Sequence, residues 1–414
     1  METESAIARR NLLRAAFMAA SVLTAGSAAG QAQQPIRIGA SISETGSFAQ
    51  LGQNQMRGYQ LCVKSANDKG GVLGRRIELL IEDDKSQSSD AAAIYEKLIA
   101  RDKVDAILGP YSSPITEAVA DVAEKYRLPM LAPNGSTASI FKKGRKFVFQ
   151  ATSPAEDYLE GTVAIAAAHG LKKLAVVYED TLFPKASALG AANLAKQKGM
   201  EVVLIAPYEK GTKDFTGLAV KLRDAAPDAV AAATYFDDAV AIVRKLKEQD
   251  VNPKMFAVTV GGDLPQFQEL LGRDAEFIYG ASQWEAELVT LRAGGLIPVA
   301  RQYPGAREFV EAHRKEYPGA DLSYHTAAGY GSCQVLLAAI ERAGSLAGPK
   351  VREEILKYQD SNVYGRFRVD ETGLQTAHKM VTFQWQDGKK AIVWPEELAP
   401  GKPRFPTPPW SQRP

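Results

Sequence analysis

Two adjacent serines near residue 112 have the types and spacing that bind an anion. Ser112 and Ser113 follow a short apolar segment at residues 104–108, and Pro114 comes directly after them. Serine is favoured at a helix N-cap and proline at the first helical position, so a helix is predicted to begin here. The free N–H groups and positive dipole end of that helix would attract a carboxylate. We predict that the two serines hold a ligand, with helix capping alone as the alternative.

A second loop repeats this design further along the chain. A short apolar segment at residues 128–131 leads into Ala-Pro-Asn-Gly-Ser-Thr at 132–137, which contains Gly135 and Ser136. Parallel strands of one sheet place the loops at their carboxyl ends along a common edge. We therefore expect the two hydroxyl-bearing loops to lie side by side at a crevice.

Sequence patterns typical of enzymes and metal sites are missing. No phosphate-binding loop is present, and no G-x-S-x-G pattern surrounds Ser113 or Ser136. The four histidines are scattered, and neither they nor the cysteines cluster at metal-ligand spacing. We predict a protein that is not an enzyme and holds neither a metal ion nor another cofactor.

The elements around the two loops alternate in the order that builds parallel sheets. From residue 36 onward, strand, loop and helix patterns follow one another in two successive series, the second starting after residue 154. This alternation predicts an α/β protein with crossover helices. A chain of 414 residues also exceeds what one core usually serves, so two domains are expected.

The first 32 residues have the pattern of an export signal. Arg9, Arg10 and Arg14 precede an uncharged, alanine-rich run that is followed by small residues. We predict export of the protein with cleavage near Ala32, and with Ala29 as the alternative cleavage site. The paired arginines resemble a twin-arginine signal, and the general secretory route is the other possibility. The run is shorter than the roughly 18–20 apolar residues that a membrane span needs.

The predicted mature chain is close to neutral. Removing residues 1–32 takes three arginines and two glutamates from the 50 basic and 48 acidic residues, which leaves 47 and 46. This near balance gives no indication of nucleic-acid binding.

The two cysteines and the C-terminus have separate interpretations. Cys62 and Cys333 lie in apolar helical segments and are either a disulfide of an exported protein or two buried thiols. The proline-rich final twenty residues are predicted to lie extended on the surface.

Four motifs occur between residues 67 and 133. They are NDKGGVLGR at 67–75, EDD at 82–84, DAILGP at 105–110 with the two serines after it, and PMLAP at 129–133. Together they resemble the type I periplasmic solute-binding proteins of the leucine/isoleucine/valine-binding class, and the resemblance extends from about residue 36 to about residue 394. It implies two Rossmann-like lobes joined by three hinge crossovers, with a ligand cleft between them. It also implies delivery of the ligand to an ABC permease in the inner membrane.

The resemblance sets the expected domain organisation. Lobe 1 comprises residues 33–152 and 284–362, lobe 2 comprises residues 153–283 and 363–394, and residues 395–414 form a proline-rich tail. The protein is expected to be a monomer that closes by hinge motion on a small carboxylate-bearing ligand. A ligand-sensing receptor or regulator on the same fold is the alternative.

The resemblance further implies a ligand site shared by both lobes. Ser113, with its neighbours, would hold the ligand carboxylate, the loop at 132–137 would add a second hydroxyl, and aromatic residues of lobe 2 would cover the ligand. Phe183 and Tyr235 could equally be core aromatics. The implied ligand contacts are Tyr111, Ser112, Ser113, Gly135, Ser136, Phe183, Tyr235 and Trp284.

One position departs from the family pattern. Amino acid binders of this class place an acidic residue at the end of the strand at 255–260 to meet the ligand ammonium, and this chain has Val260 there. Asp263, three residues later, could substitute. Without either, burying an ammonium in a closed cleft would cost on the order of several kcal/mol. An amino acid, an aromatic or aliphatic acid without an ammonium, and an amide or urea-like solute all remain open.

Overall fold

Two mainly parallel sheets organise the part of the chain that the computed structural model describes, residues 33–290 and 302–413. The predicted export signal lies outside the described residues. From Ile36 onward the described chain forms one compact unit. Within the described ranges, every helix is too short or too polar to cross a membrane.

The first sheet is parallel throughout. Its strands are β1 Ile36–Ile42, β2 Ile77–Asp83, β3 Ala106–Leu108, β4 Met130–Ala132 and β5 Val148–Gln150. They lie in the order β2-β1-β3-β4-β5, so the chain reverses its direction of travel across the sheet between β1 and β3. Ligand crevices of open α/β sheets form at this reversal, beyond the carboxyl ends of the strands. We call this sheet and the helices packed on it lobe 1.

The second sheet repeats that order and extends it. Its strands are β6 Lys173–Glu179, β7 Glu201–Tyr208, β8 Ala229–Ala233, β9 Met255–Val258, β10 Tyr279–Ser282, then, after the hairpin β11 Ser361–Asn362 and β12 Gly365–Arg366 outside the sheet, β13 Val381–Gln386 and β14 Lys389–Trp394. The order β7-β6-β8-β9-β10 matches the first sheet, and β13 and β14 add antiparallel strands beside β10. We call this sheet and its helices lobe 2. The predicted α/β fold is confirmed.

Helices connect most successive strands and cover both faces of the sheets. They are α1 Ala49–Asp68, α2 Ser88–Ala100, α3 Ser113–Tyr126, α4 Glu160–Ala168, α5 Leu182–Gln197, α6 Thr216–Ala225, α7 Phe236–Glu248, α8 Pro265–Leu271, α9 Ala286–Thr290, α10 Ala306–Glu316, α11 Tyr324–Ala343 and α12 Gly348–Lys357. In α3 the apolar residues Ile115, Val119 and Val122 recur at helical spacing and are buried. This packing fixes the direction in which the N-terminus of α3 points.

A disulfide joins the two long helices of lobe 1. The sequence left Cys62 and Cys333 open between a disulfide and free thiols, and the structure bonds Cys62 of α1 to Cys333 of α11. Both residues are buried in the core that α1 and α11 form with the first sheet. The bridge closes a loop with a sequence separation of 271 residues, so it connects parts of lobe 1 that lie on either side of lobe 2 in the chain.

Three segments of the described chain connect the two sheets, and Gln283, which lies in the second segment, contacts the other two through its side chain and its backbone carbonyl. They follow β5, follow β10 and precede β13. The Gln283 Oε1 atom accepts a hydrogen bond from the Ser153 N–H at 2.8 Å, and Nε2 donates to the Tyr158 hydroxyl. The Gln283 carbonyl oxygen lies 3.1 Å from His378 Nε2. A single buried glutamine thus contacts all three crossovers.

The C-terminal tail is anchored instead of merely lying on the surface. Trp410 is buried against lobe 2, and its indole Nε1 donates to the Val251 carbonyl at 2.8 Å. The Arg413 guanidinium lies 3.4 Å from the centre of the Trp410 ring. The prediction of an extended surface tail is wrong around Trp410, where the tail is packed into lobe 2. Burial of an aromatic side chain contributes roughly 2–3 kcal/mol, which favours this anchored conformation.

Candidate functional site

A small cavity lies where loops of the two lobes meet. Its lining consists of Tyr111, Ser112, Ser113, Asn134, Ser136, Tyr158, Phe183, Tyr235, Val260, Tyr324 and His325. About 10 Å³ is open to the centre of a water molecule, which is room for about one water. The lobes are therefore closed on each other, and a ligand reaches this point only when the lobes or the lining side chains move.

Ser113 joins the two hydroxyl-bearing loops directly. It is the first residue of α3, and its Oγ accepts hydrogen bonds from the backbone N–H groups of Ser136 at 3.0 Å and Thr137 at 3.3 Å. A hydroxyl has two lone pairs and one proton, so this Oγ can accept both bonds and still donate its proton to another acceptor. The loops lie side by side, as the sequence predicted.

Ser112 occupies the N-cap position of α3 without capping the helix. Its Oγ makes no capping hydrogen bond and has no hydrogen-bond partner among the described residues, although Ser112 is buried. A buried hydroxyl without a partner is costly. Together with the free N–H groups of α3, it provides donors suited to an anion.

A buried polar network holds these loops in place. Asn134 Nδ2 donates to Gln55 Oε1 at 2.8 Å, and Gln55 Nε2 donates to the Gly109 carbonyl at 2.9 Å. The Tyr59 hydroxyl donates to the same carbonyl at 2.6 Å. Helix α1 therefore positions the end of β3 and the loop that follows β4. Sequence reasoning missed Gln55, although a glutamine beside the buried face of α1 was a signal.

The lobe 2 side of the cavity is aromatic and apolar. The Phe183 ring lies 4.8 Å from the Tyr158 ring and 5.8 Å from the Tyr235 ring, centre to centre. Phe48 of lobe 1 lies 5.0 Å from Tyr235 and closes this cluster across the cleft. The Ser112 hydroxyl lies near enough to Tyr235 to affect its ionisation, but no hydrogen bond of normal geometry joins the two.

Besides Val260, four lining residues were not among the predicted ligand contacts: Asn134 of the loop at 132–137, and Tyr158, Tyr324 and His325, which lie outside both serine loops. Tyr158 comes from the first crossover, and Tyr324 and His325 come from the start of α11. The Tyr324 and His325 rings are stacked with centres 3.9 Å apart. Burial lowers the pKa of His325 to about 3, so the imidazole is neutral at pH 7. Tyr158, Tyr324 and His325 follow no local strand-loop-helix pattern, and no sequence signal marked them.

Three predicted site residues, Trp284, Gly135 and Asp263, are not part of the cavity wall. Trp284 is buried in the core of lobe 1, with its ring 5.8 Å from that of Phe309. Gly135 adjoins the wall without lining it. A Cβ atom there would lie 2.4 Å from Thr116 Oγ1, so glycine permits the loop to pack closely on α3.

Asp263 is buried near the cavity, but Val260 lines it. Burial raises the pKa of the Asp263 carboxyl, and the Lys390 ammonium opposes that rise. Lys390 also pairs with Glu285, with Nζ and Oε2 2.5 Å apart. Asp263 thus belongs to a buried charge cluster beside the second crossover. Across residues 33–290 and 302–413, no cluster of histidine, cysteine, aspartate and glutamate could hold a metal ion.

Two lobes of matching strand order, facing each other across a cavity of hydroxyl and aromatic groups, define a two-lobed solute-binding protein. The chain belongs to the periplasmic binding protein family, whose sequence profile matches residues 35–390. It is similar to Leu/Ile/Val-binding protein homolog 7 of Brucella melitensis, with 27% identity over 406 residues that cover 94% of this chain and 99% of the relative.

Solved structures share the fold. The leucine binding protein LivK from Thermotoga maritima superposes with a TM-score of 0.76 and 25% identity, covering 86% of this chain and 97% of that chain. The branched-chain amino acid transporter substrate binding protein LivJ from Streptococcus pneumoniae, in complex with isoleucine, gives a TM-score of 0.72 at 22% identity, covering 87% and 100%. The predicted type I periplasmic binding protein fold is confirmed, and this family consists of solute-binding proteins.

Proposed function

We propose that this protein captures a small carboxylate-bearing solute between its lobes in the periplasm and delivers it to an inner-membrane ABC permease. The observation that carries the proposal is the junction at Ser113, where two hydroxyl-bearing loops and the N-terminus of α3 meet at an interlobe cavity. Relatives named as leucine-binding proteins support a ligand with a carboxylate.

Export and processing are part of the proposal. The basic and apolar pattern of residues 1–32 supports an export signal cleaved near Ala32, and the Cys62–Cys333 disulfide supports an oxidising compartment. The proposed mature protein is a monomer with the two-lobe boundaries given from the sequence, and it binds its ligand without catalysing a reaction.

Closure is the proposed signal to the permease. In the closed form Gln266 of lobe 2 donates a hydrogen bond to Asp321 of lobe 1 at 2.9 Å, and the Phe48 and Tyr235 rings meet across the cleft. Contacts of this kind add only modestly to stability. A ligand that touches both lobes therefore has room to shift the equilibrium towards the closed form.

The first test is a thermal-shift panel of amino acids, aliphatic acids, aromatic acids and amides, since a ligand that closes the cleft raises the melting temperature. The best ligand is then titrated by calorimetry against Ser113→Ala/Ser136→Ala. We expect a loss of roughly tenfold or more per removed charge-assisted bond. Ser89→Ala, an exposed serine in α2, is the matched control. Unchanged affinity in the double variant would refute the site.

A further inference from the structure

We propose that the ligand of this cleft is a monocarboxylate that lacks an ammonium group, with an uncharged body that packs against the aromatic rings of lobe 2. This inference rests on the proposed function, because it specifies the ligand class of the same site. It is carried by the charges of the cavity wall, by the residues that form its lobe 2 side, and by the position of Asp263 outside it.

The described residues of the cavity wall carry no formal charge at neutral pH. They include no aspartate, glutamate, lysine or arginine, and the ionisable ones are four tyrosines and His325. Burial raises the pKa of all four tyrosines and lowers that of His325 to about 3, so each is neutral. A ligand with one negative charge meets hydroxyl and N–H donors here, whereas a ligand cation meets no opposite charge.

The negative group has a defined place on the lobe 1 side. The donors are the N-terminus of α3, the unpartnered hydroxyl of Ser112 and the free proton of Ser113. A carboxylate has two oxygens and no proton to donate, so it matches a set of donors. An amide would offer this donor set one carbonyl oxygen in place of two carboxylate oxygens, and its NH₂ group could donate only to the one amide oxygen on the wall, Asn134 Oδ1, which has no partner among the described residues.

The remainder of the ligand would face an aromatic and apolar surface, which cannot replace the water that hydrates a cation. Phe183, Tyr235, Tyr158 and Val260 form the lobe 2 side of the wall. An ammonium placed among them would lose its hydration without gaining a carboxylate partner, which strongly disfavours binding. A flat or branched apolar body would instead gain by leaving water, and rings in edge-to-face contact with Phe183 would fit its existing packing.

Asp263 is the residue that would overturn this inference. Its Oδ1 atom is buried without a hydrogen-bond partner among the described residues, and its charge is felt by Tyr111 and Tyr324. It does not line the cavity, however, and the buried Lys390 supplies the positive charge that faces it. The structure therefore assigns Asp263 to the charge cluster with Glu285 and not to the ligand.

Matched ligand pairs isolate the ammonium group. We would titrate the intact mature protein by calorimetry with leucine and 4-methylpentanoate, and with phenylalanine and 3-phenylpropanoate, because the members of each pair differ only at the α-ammonium. We expect the acid without the ammonium to bind at least tenfold more tightly in at least one pair. Val260→Glu, which adds a carboxylate to the wall, should reverse that preference, and Val260→Gln, of the same size without the charge, should not.

The outcomes separate this inference from the proposed function. If neither pair shows the preference, because the two members bind equally or the amino acid binds more tightly, the inference is overturned while carboxylate capture stays intact. If the amino acid binds more tightly and Asp263→Asn abolishes that preference, Asp263 is its ammonium partner. If no carboxylate in either pair or in the thermal-shift panel binds, the proposed function fails together with the inference. A circular dichroism melt checks that each variant is folded.

Discussion

The two sides of the cleft are built on the same strand order but carry different chemistry. Lobe 1 presents the serine loops after β3 and β4, held by a buried polar network and braced behind by a disulfide. Lobe 2 presents Phe183, Tyr235 and Val260 from the corresponding positions after β6, β8 and β9. The difference supports the proposal that lobe 1 holds the ligand carboxylate, while lobe 2 selects what is attached to it.

The largest effect in testing this difference between the lobes is expected from removal of the disulfide in lobe 1. Because the Cys62–Cys333 bridge closes a loop with a separation of 271 residues, chain entropy predicts that Cys62→Ala/Cys333→Ala lowers the free energy of unfolding by roughly 5–6 kcal/mol. Hydrogen exchange should rise first in α1 and α11 of lobe 1. An equal rise in the helices of lobe 2 would show that the brace serves the whole protein, and an unchanged denaturation midpoint would contradict the prediction.

We expect acid to lower the folding stability of lobe 1, because a buried histidine there must become protonated on unfolding. His313 in α10 is fully buried with no hydrogen-bond partner for either ring nitrogen in the described chain, and burial, with Arg57 and Arg314 nearby, lowers its pKa to about 4. Asp321 acts in the opposite direction. A lowered histidine pKa gives stability that is complete above about pH 6.5 and is lost as the pH falls towards 4.

Replacing His313 with phenylalanine should remove the contribution of His313 to this dependence, while the buried His325 and His378, whose pKa values burial also lowers, keep theirs. Between pH 7 and pH 5, denaturant unfolding of the wild type should lose about 2 kcal/mol more than that of His313→Phe. His169→Gln, which changes an exposed histidine of lobe 2, is the control and should behave like the wild type. A parallel loss in wild type and His313→Phe would show that other groups set the acid response.

The smallest effect is expected at the lobe 2 wall. The Tyr235 hydroxyl is buried without a hydrogen-bond partner among the described residues, so Tyr235→Phe should leave stability unchanged or raise it by up to about 1 kcal/mol. We expect carboxylate affinity to fall less than tenfold in calorimetry, because the anion is held by lobe 1. A loss as large as that of Ser113→Ala/Ser136→Ala would place an anchor in lobe 2 and break the contrast.

Local patterns predicted the serine loops, while distant contacts determined the rest of the wall. Ser113 was accessible to sequence reasoning because strand, breaker and hydroxyl residues follow one another within ten positions. Tyr324 reaches the cavity from the start of α11, more than two hundred residues further on, so no local pattern could place it.

The length of one strand and the turn after it determine which residues reach the lobe 2 side of the cavity. Strand β9 ends at Val258, two residues earlier than predicted, and the turn that follows brings Val260 to the wall while leaving Asp263 outside it. The disulfide depended on a Cα–Cα distance, 6.3 Å, that only the folded lobe defines. Chain direction and element type were therefore readable from the sequence, and distances across the fold were not.

The glutamine that touches all three crossovers bears on how many ways the lobes can move. If the crossovers bent independently, the lobes could twist, slide and rock as well as close. Since Gln283 bonds to Ser153 and Tyr158 and contacts His378, we expect that bending one crossover would displace the other two. Such coupling would restrict the proposed movement of the lobes largely to one closing motion. Tyr158 also lines the cavity, so a ligand bound there as proposed would contact a residue that Gln283 links to the second crossover.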